Sequence, residues 1–291
     1  MMIREPVVAG QFYPAGAKAC RAQLAQLLNE GSSNAAFDRP IVGGLVPHAG
    51  WMCSGVVAAR VFNAIAAARS PEVIVLFGGV HRYRGKQAAM FGSGRWETPL
   101  GPVDVDSRLA ERILGHTNQI VDDPYAHEDE HSLEVQMPFV RYLFPDVKVV
   151  PIMVPIVKTA AEIGEAVGRT LKSYNYDALI VGTTDLTHYG PRYNFIPQGI
   201  GAKANVWAKE DNDRRFIDLV CDLRATELVP EAASRRNACN SGAAAATIAA
   251  SAALGATAGL LLQHTTSSEV LGGQMPEAQS DSVGYAGIVF L

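Results

Sequence analysis

Apolar residues in this chain gather in short runs rich in β-branched side chains, with longer helical patterns between them. IVGGLV (41–46), VIVLFGG (73–79), VKVVPIMV (147–154) and DALIVGTT (177–184) are followed by TAGLLL (257–262) and VGYAGIVFL (283–291). Runs this continuous lack the alternation of a half-solvated sheet, so they predict strands buried on both faces. The class is α/β: one domain over 1–291, with a mostly parallel central sheet flanked by helices. Between two of the strands, MFGSGRWETPLGPVDVD (90–106) mixes glycine, proline and β-formers and predicts an antiparallel excursion.

Helices are marked by caps and by period. Thr159 and Glu162 make a T-x-x-E capping box ahead of EIGEAVGRTLKSY, and Ser54 precedes GVVAARVFNAIAAA, in which Val57, Val61, Phe62 and Ile65 share a face. Both are expected as crossover helices. GSSNAAFDRP (31–40) is polar and turn-rich and is expected to be a surface loop. The stretch from Asn240 to Gln263 carries no charge and is long enough to span a bilayer. Its alanines are only weakly apolar, and Gly255 and Gly259 interrupt it, so the expectation is a small-residue buried helix followed by a buried strand, with no membrane span.

Composition narrows the partners. With 291 residues, 48% hydrophobic and 19% charged, the chain can bury a large core. A net charge of −4 and a pI near 6.0 come without a basic run, which argues against nucleic acid. The N-terminal MMIREPVVAG lacks the apolar core of a secretory signal, and four scattered cysteines suit reduced thiols, so a cytoplasmic setting is expected.

HEDEH (127–131) matches the zinc-protease pattern H-E-x-x-H letter for letter. That motif needs both histidines one turn apart on a helix set among apolar neighbours. Here Asp129 and Glu130 fill the variable positions, Pro124 lies upstream, and no third zinc ligand follows nearby. The segment reads better as the approach to a helix starting near His131 or Ser132 and running SLEVQMPFVRYLF, with Leu133, Met137, Val140 and Phe144 inward and Pro138 as a kink or stop. His131 can still line a pocket.

In parallel sheets ligands bind beyond the carboxyl ends of the strands. His48 follows the first strand, His81 the second, and Asp185 with His188 the fourth; Cys239 stands just ahead of the alanine-rich helix, whose dipole would favour a thiolate. Any one of these is weak, but three of the seven histidines, a carboxylate and a thiol are all expected on one rim. Two imidazoles and a thiolate suit Fe(II), Cu or Zn with coordination positions left open for O2 or a small-molecule substrate, and Asp185 with His188 suit proton handling or support of the ligands.

REPVVAGQFYP, PHAGWMCSG, GGVHRYRG, DEHSLEVQMPFV, TTDLTHYG and NAC occur in the order seen in the Memo family, also called AmmeMemoRadiSam system protein B, which the chain resembles over essentially its whole length. The resemblance implies a fold like that of the class III extradiol (LigB-type) non-heme iron dioxygenases. It implies metal ligands at His48, His81 and Cys239 with Asp185 and His188 as catalytic neighbours, and it makes His131 and Glu134 part of a family element around the pocket. HEDEH is then accidental, since the family pattern requires no histidine at 127. Ring-cleaving relatives use a carboxylate as third iron ligand where this chain has Cys239. The chain also has Gly79 where many members have proline, Leu186 where an aromatic is common, and Asn240 where glycine usually follows the cysteine.

Two function classes follow. One is a metal-dependent redox or dioxygenase-like enzyme using Fe(II) or Cu on a small substrate. The other is a non-catalytic peptide- or protein-binding module on the same scaffold; the family name implies radical-SAM and AMMECR1-like proteins as associates.

Overall fold

The computed structural model describes residues 2–32, 37–83, 85–272 and 280–291, so residues 33–36 of the expected surface loop lie outside the described residues. The first half runs β1 (Ile3–Arg4), α1 (Ala17–Glu30), β2 (Gly43–Val46), α2 (Trp51–Ala68), β3 (Val73–Gly78), β4 (Ala88–Met90), β5 (Arg95–Trp96), β6 (Val103–Asp104), α3 (Ser107–His116), β7 (Ile120–Asp122) and α4 (Met137–Leu143). The second runs β8 (Lys148–Met153), α5 (Ala160–Ser173), β9 (Ala178–Thr183), β10 (His188–Tyr189), α6 (Ala202–Trp207), α7 (Arg214–Cys221), α8 (Ala225–Arg235), α9 (Ser241–Ala253), β11 (Gly259–Thr266), α10 (Ser267–Leu271) and β12 (Ser282–Phe290).

Strands β2, β9, β3 and β8 form a parallel centre in that order. Antiparallel neighbours flank it: β12 beside β2, and β4 beside β8. The sheet is therefore mixed, parallel where the site strands lie. Two-residue alternation explains why the central runs look uniformly apolar. Val73, Val75 and Phe77 face the layer containing α3, α5, α8 and α9, while Ile74 and Leu76 face the layer containing α1, α2 and α4. The excursion at 90–106 forms the expected antiparallel pair β5–β6, and β1 joins it in a separate three-stranded sheet.

The uncharged 240–263 stretch divides into α9 and β11. A Cβ at Gly164 would stand 2.0 Å from the Ala246 carbonyl oxygen, and one at Gly168 2.7 Å from that of Ala250, so α5 and α9 approach at backbone distance. Alanine in α9 is what permits this approach; a larger side chain would wedge the helices apart. Helix α2, 18 residues long, has the length and apolarity to cross a bilayer, yet half of it is buried inside the fold.

Several local expectations are corrected. Thr159 stands at the start of α5 with φ −85° and ψ 6°, and its side chain makes no cap hydrogen bond; the capping box forms instead between Thr266 and Glu269 at α10. Helix α2 begins at Trp51, so Ser54 lies inside it with its hydroxyl donated to the Ala49 carbonyl. Strand β11 is a half-exposed edge, with Leu260 42% exposed, because only β12 pairs with it. The segment after HEDEH makes a 3-10 turn, Glu134–Gln136, before α4, which places Pro138 in a first helical turn where its missing N–H costs nothing. Pro138 therefore starts a helix and kinks none.

Candidate metal centre

Three of the four parallel strands deliver a polar residue at the carboxyl end. His48 follows β2, the 184–188 loop follows β9, and His81 follows β3, and the three strands are adjacent in that order. The rings of His48 and His81 stand 5.3 Å apart. A third imidazole joins them: His131 stacks on His81 at 4.4 Å and meets His48 edge-on at 5.6 Å. One ring nitrogen from each of His48, His81 and His131 lies within 4.8 Å of the others. Imidazoles sharing an ion at about 2.1 Å stand at most about 4.2 Å apart, so a small closing of the rings brings three ligands to one metal.

Two of the three rings are braced from behind by a hydrogen bond. His48 Nδ1 pairs with Thr183 Oγ1 at 2.9 Å, and the His48 N–H donates to Asp185 Oδ1 at 2.8 Å, which turns Nε2 toward the rim. His81 Nδ1 pairs with Glu130 Oε1 at 2.9 Å while its N–H donates to Oε2 at 2.8 Å. A carboxylate holding Nδ1–H fixes the tautomer and leaves Nε2 as a lone pair, the arrangement that supports a metal ligand. Phe12 meets His131 edge-on at 5.0 Å and covers its outer side.

Charge states follow from burial and neighbours. Burial pushes the His48 pKa down to about 3, helped by His81, and that of His131 down to about 4, helped by His48 and His81. Both rings are neutral near pH 7, as ligands must be. Burial also works against protonating His81, but the hydrogen bond and charge of Glu130 outweigh it and raise its pKa. Burial would raise Glu130; its bonds to His81 and to the Ser132 N–H bring it well below the usual carboxylate range.

The sulfur of Cys239 stands 3.4 Å from His48 Nε2, near the roughly 3.6 Å expected of sulfur and nitrogen on one tetrahedral ion, but it does not join the three-imidazole group. It accepts the Asp185 N–H at 3.3 Å. The expected thiolate is corrected: burial, and then the charge of Asp185, hold the thiol well above its ordinary range despite the α9 N-terminus. A bound cation reverses that balance.

Asp185 Oδ2 lies 4.0 Å from His48 Nε2, and burial raises the Asp185 pKa. His188 gives Nδ1 to the Leu186 carbonyl and meets Tyr193 edge-on, so among the described residues no hydrogen bond joins the Asp185 and His188 side chains. Asp185 serves His48 and Cys239, and His188 stands beside it as a separate group.

Glu134 lies away from the rim. It takes Arg4 Nη1 at 2.6 Å, the Val7 and Val8 N–H groups, and the Tyr13 hydroxyl, all of which tie the N-terminal arm to the 130s segment. His127 is buried in an aromatic box with Phe91 and Trp96, its Nε2 on the Ala89 carbonyl at 3.0 Å. HEDEH thus divides between a core histidine and a rim histidine, and its 3-10 conformation at 124–127 cannot present both on one helical face.

Sequence reading missed Thr183, Glu130 and Asn240. Glu130 hid inside an acidic run that looked like dipole compensation. Asn240 Oδ1 accepts the Val80 N–H at 3.1 Å and its Nδ2 stands 3.3 Å from His48 Nε2. A Cβ at Gly79 would fall 1.7 Å from the Asn240 side chain, so the Asn240 amide occupies the space that Gly79 leaves open.

Among solved structures, an uncharacterized protein of Escherichia coli K12 shares the fold, with a TM-score of 0.52 over 85% of this chain and 99% of that one at 10% identity. MEMO1 family proteins of Pyrobaculum aerophilum and Methanothermobacter thermautotrophicus are 36% and 37% identical, over 100% and 98% of this chain and 99% of each relative. The family described as Memo-like protein matches residues 4–289. Matches of this extent place the chain in the Memo family.

Proposed function

We propose that this protein binds one redox-active transition ion, Fe(II) or Cu with Zn as the redox-inert option, and carries out oxidoreductase or dioxygenase-like chemistry on a small substrate in the cytoplasm. His48 and His81 are its ligands in either of two sets, completed by Cys239 or by His131. The observation that carries this reading is the meeting of three imidazole nitrogens within 4.8 Å, two of the rings braced on Nδ1 by Thr183 and Glu130. His127 spends its donor on the Ala89 carbonyl in the core, whereas these three rings each bring a nitrogen within 4.8 Å of the others.

An ion here supplies redox capacity and open coordination positions. The chain's own groups do the rest. Glu130 holds the His81 ring with Nδ1 protonated, Thr183 anchors the His48 ring at Nδ1, Phe12 packs edge-on against His131, and Asp185, its proton retained more readily by burial, sits where it can exchange one at the His48 edge. His188 carries that proton between the rim and solvent.

The test is anaerobic loading of stripped protein with Fe(II) or Cu(I), desalting and elemental analysis. About one ion per chain is expected for wild type and none for His48→Ala; wild type emerging without metal ends the proposal. Cys239→Ser and His131→Ala separate the two ligand sets, since the true third ligand costs at least the 10- to 100-fold of a supporting residue. A second reading, a binding module whose associates are radical-SAM and AMMECR1-like proteins, is favoured by Met52, 59% exposed in the first turn of α2 just past His48. It requires partner capture that survives removal of the ion.

A further inference from the structure

Away from the rim, α6 and α7 are joined through a π-helical turn, Ala208–Asp213. Successive residues of an ordinary helix diverge by about 100°, but here Asn212 and Asp213 are both only 1% exposed. Asp213 Oδ1 accepts the Thr187 N–H at 2.9 Å and Oδ2 pairs with His264 Nε2 at 3.1 Å. Its carboxylate fits only because residue 284 is glycine: a Cβ there would stand 1.9 Å from Oδ2. Asn212 Nδ2 donates to Thr187 Oγ1 at 3.0 Å and to the Arg235 carbonyl at 3.1 Å, while the Asn212 carbonyl accepts Asn237 Nδ2 at 2.9 Å.

These bonds reach two different loops. Thr187 belongs to the loop carrying Asp185 and His188; Arg235 and Asn237 belong to the approach to Cys239. The two loops meet again at the rim, where the Cys239 N–H donates to the Asp185 carbonyl at 3.1 Å and the Asn240 N–H to Thr184 Oγ1 at 3.1 Å. A carboxylate buried at a helix junction is costly to desolvate, and here the Thr187 N–H and His264 compensate it.

We infer that Asn212 and Asp213 are positioning residues: the π-turn clamps the Asp185–His188 loop to the Cys239 loop and so sets where the Cys239 sulfur stands relative to His48. Neither residue touches the imidazole group. The inference deepens the metal-site reading but concerns the thiol's placement, which can be measured without any ion.

The experiment is site-resolved alkylation of the full chain with iodoacetamide, read by mass spectrometry, with Cys20 as internal reference. Cys20 is wholly buried on α1, on the opposite face of the sheet. In Asn212→Ala and Asp213→Ala the Cys239 rate is expected to rise about tenfold with Cys20 unchanged, the effect of losing one or two buried hydrogen bonds on a local opening. Asp213→Asn keeps an acceptor for the Thr187 N–H and should fall back toward wild type. An unchanged Cys239 rate, or Cys20 and Cys239 rising together, overturns the inference. Thr187→Val, which removes only the Oγ1 contact to Asn212, provides the same readout if the alanine variants do not fold. Wild type that retains no Fe(II) or Cu(I) defeats the metal proposal alone and leaves the alkylation result to decide this one.

Discussion

His127 and His131, four residues apart, belong to neighbouring regions that treat polar groups in opposite ways. Beside His127 the Arg4–Glu134 knot is saturated, although His127 Nδ1 and Trp96 Nε1 lie buried without a partner: Arg4 spans the Glu134 carboxylate, the His127 carbonyl and the Glu130 carbonyl, and Glu134 has four donors. Around His131 two of the imidazoles, His48 and His81, are held on Nδ1 by Thr183 and Glu130, and one nitrogen of each of the three rings gathers with the others. Saturation marks a polar cluster that holds the fold, and one-sided bracing marks a cluster prepared for a ligand. Burial alone does not separate them, because His127 and His48 are equally buried.

Removing a partner from the saturated knot should have the largest effect. Glu134→Ala leaves Arg4 buried without a counter-charge and is expected to cost about 3–5 kcal/mol in urea unfolding, while metal retention by the folded fraction persists. Loss of metal at unchanged stability would reverse the assignment of the two regions.

Acid should reveal the knot's histidine next. The His127 pKa is held down to about 3 by burial, against about 6.5 in the unfolded chain, so the unfolded state takes up the proton first. Stability is intact above about pH 6.5 and falls as pH drops toward 3, by about 1.4 kcal/mol per pH unit for this ring. His127→Leu should flatten the urea-unfolding profile of metal-free protein by about one proton between roughly pH 6 and pH 4. An unchanged slope would place the uptake elsewhere.

On the rim side, Glu130→Gln keeps size but removes the charge behind His81 and one of the two acceptor oxygens that hold it. A 10- to 100-fold weaker hold on Fe(II) or Cu(I), read by competition with a chromogenic chelator, is expected. The smallest contrast lies at the caps. Thr266→Ala should cost about 1 kcal/mol because its capping box is formed, whereas Thr159→Ala should stay within about 0.5 kcal/mol because its side chain makes no cap bond.

The sheet was legible because uninterrupted β-branched runs report burial on both faces, and the rim followed from strand ends for His48, His81 and Asp185 and from the start of the alanine-rich helix for Cys239. What did not show was anything decided by approach in three dimensions. The T-x-x-E at 159 has the right letters and the wrong ψ. TAGLLL is as apolar as an inner strand, yet it lies at an edge because, among the described residues, no strand pairs beyond it. His131 reaches the cluster from the connection between β7 and α4, not from a strand end, so the rim rule had no way to count it as a ligand. Asn240 and Gly79, 161 positions apart, each look like an isolated departure until the missing Cβ of one is found filled by the other's amide.

Strand β12 lies between β2 and β11 and also accepts β10, and the Leu186 N–H rests on the Gly284 carbonyl. A ribosome delivers this stave after every one of the rim's histidines. Until it slots in, β2 has an open flank and the Asp185 loop has no backrest, so a nascent chain carries the whole set of rim side chains without yet being able to gather them. Stalling translation before residue 282 should leave a protein with its chemistry spelled out and its pocket unbuilt.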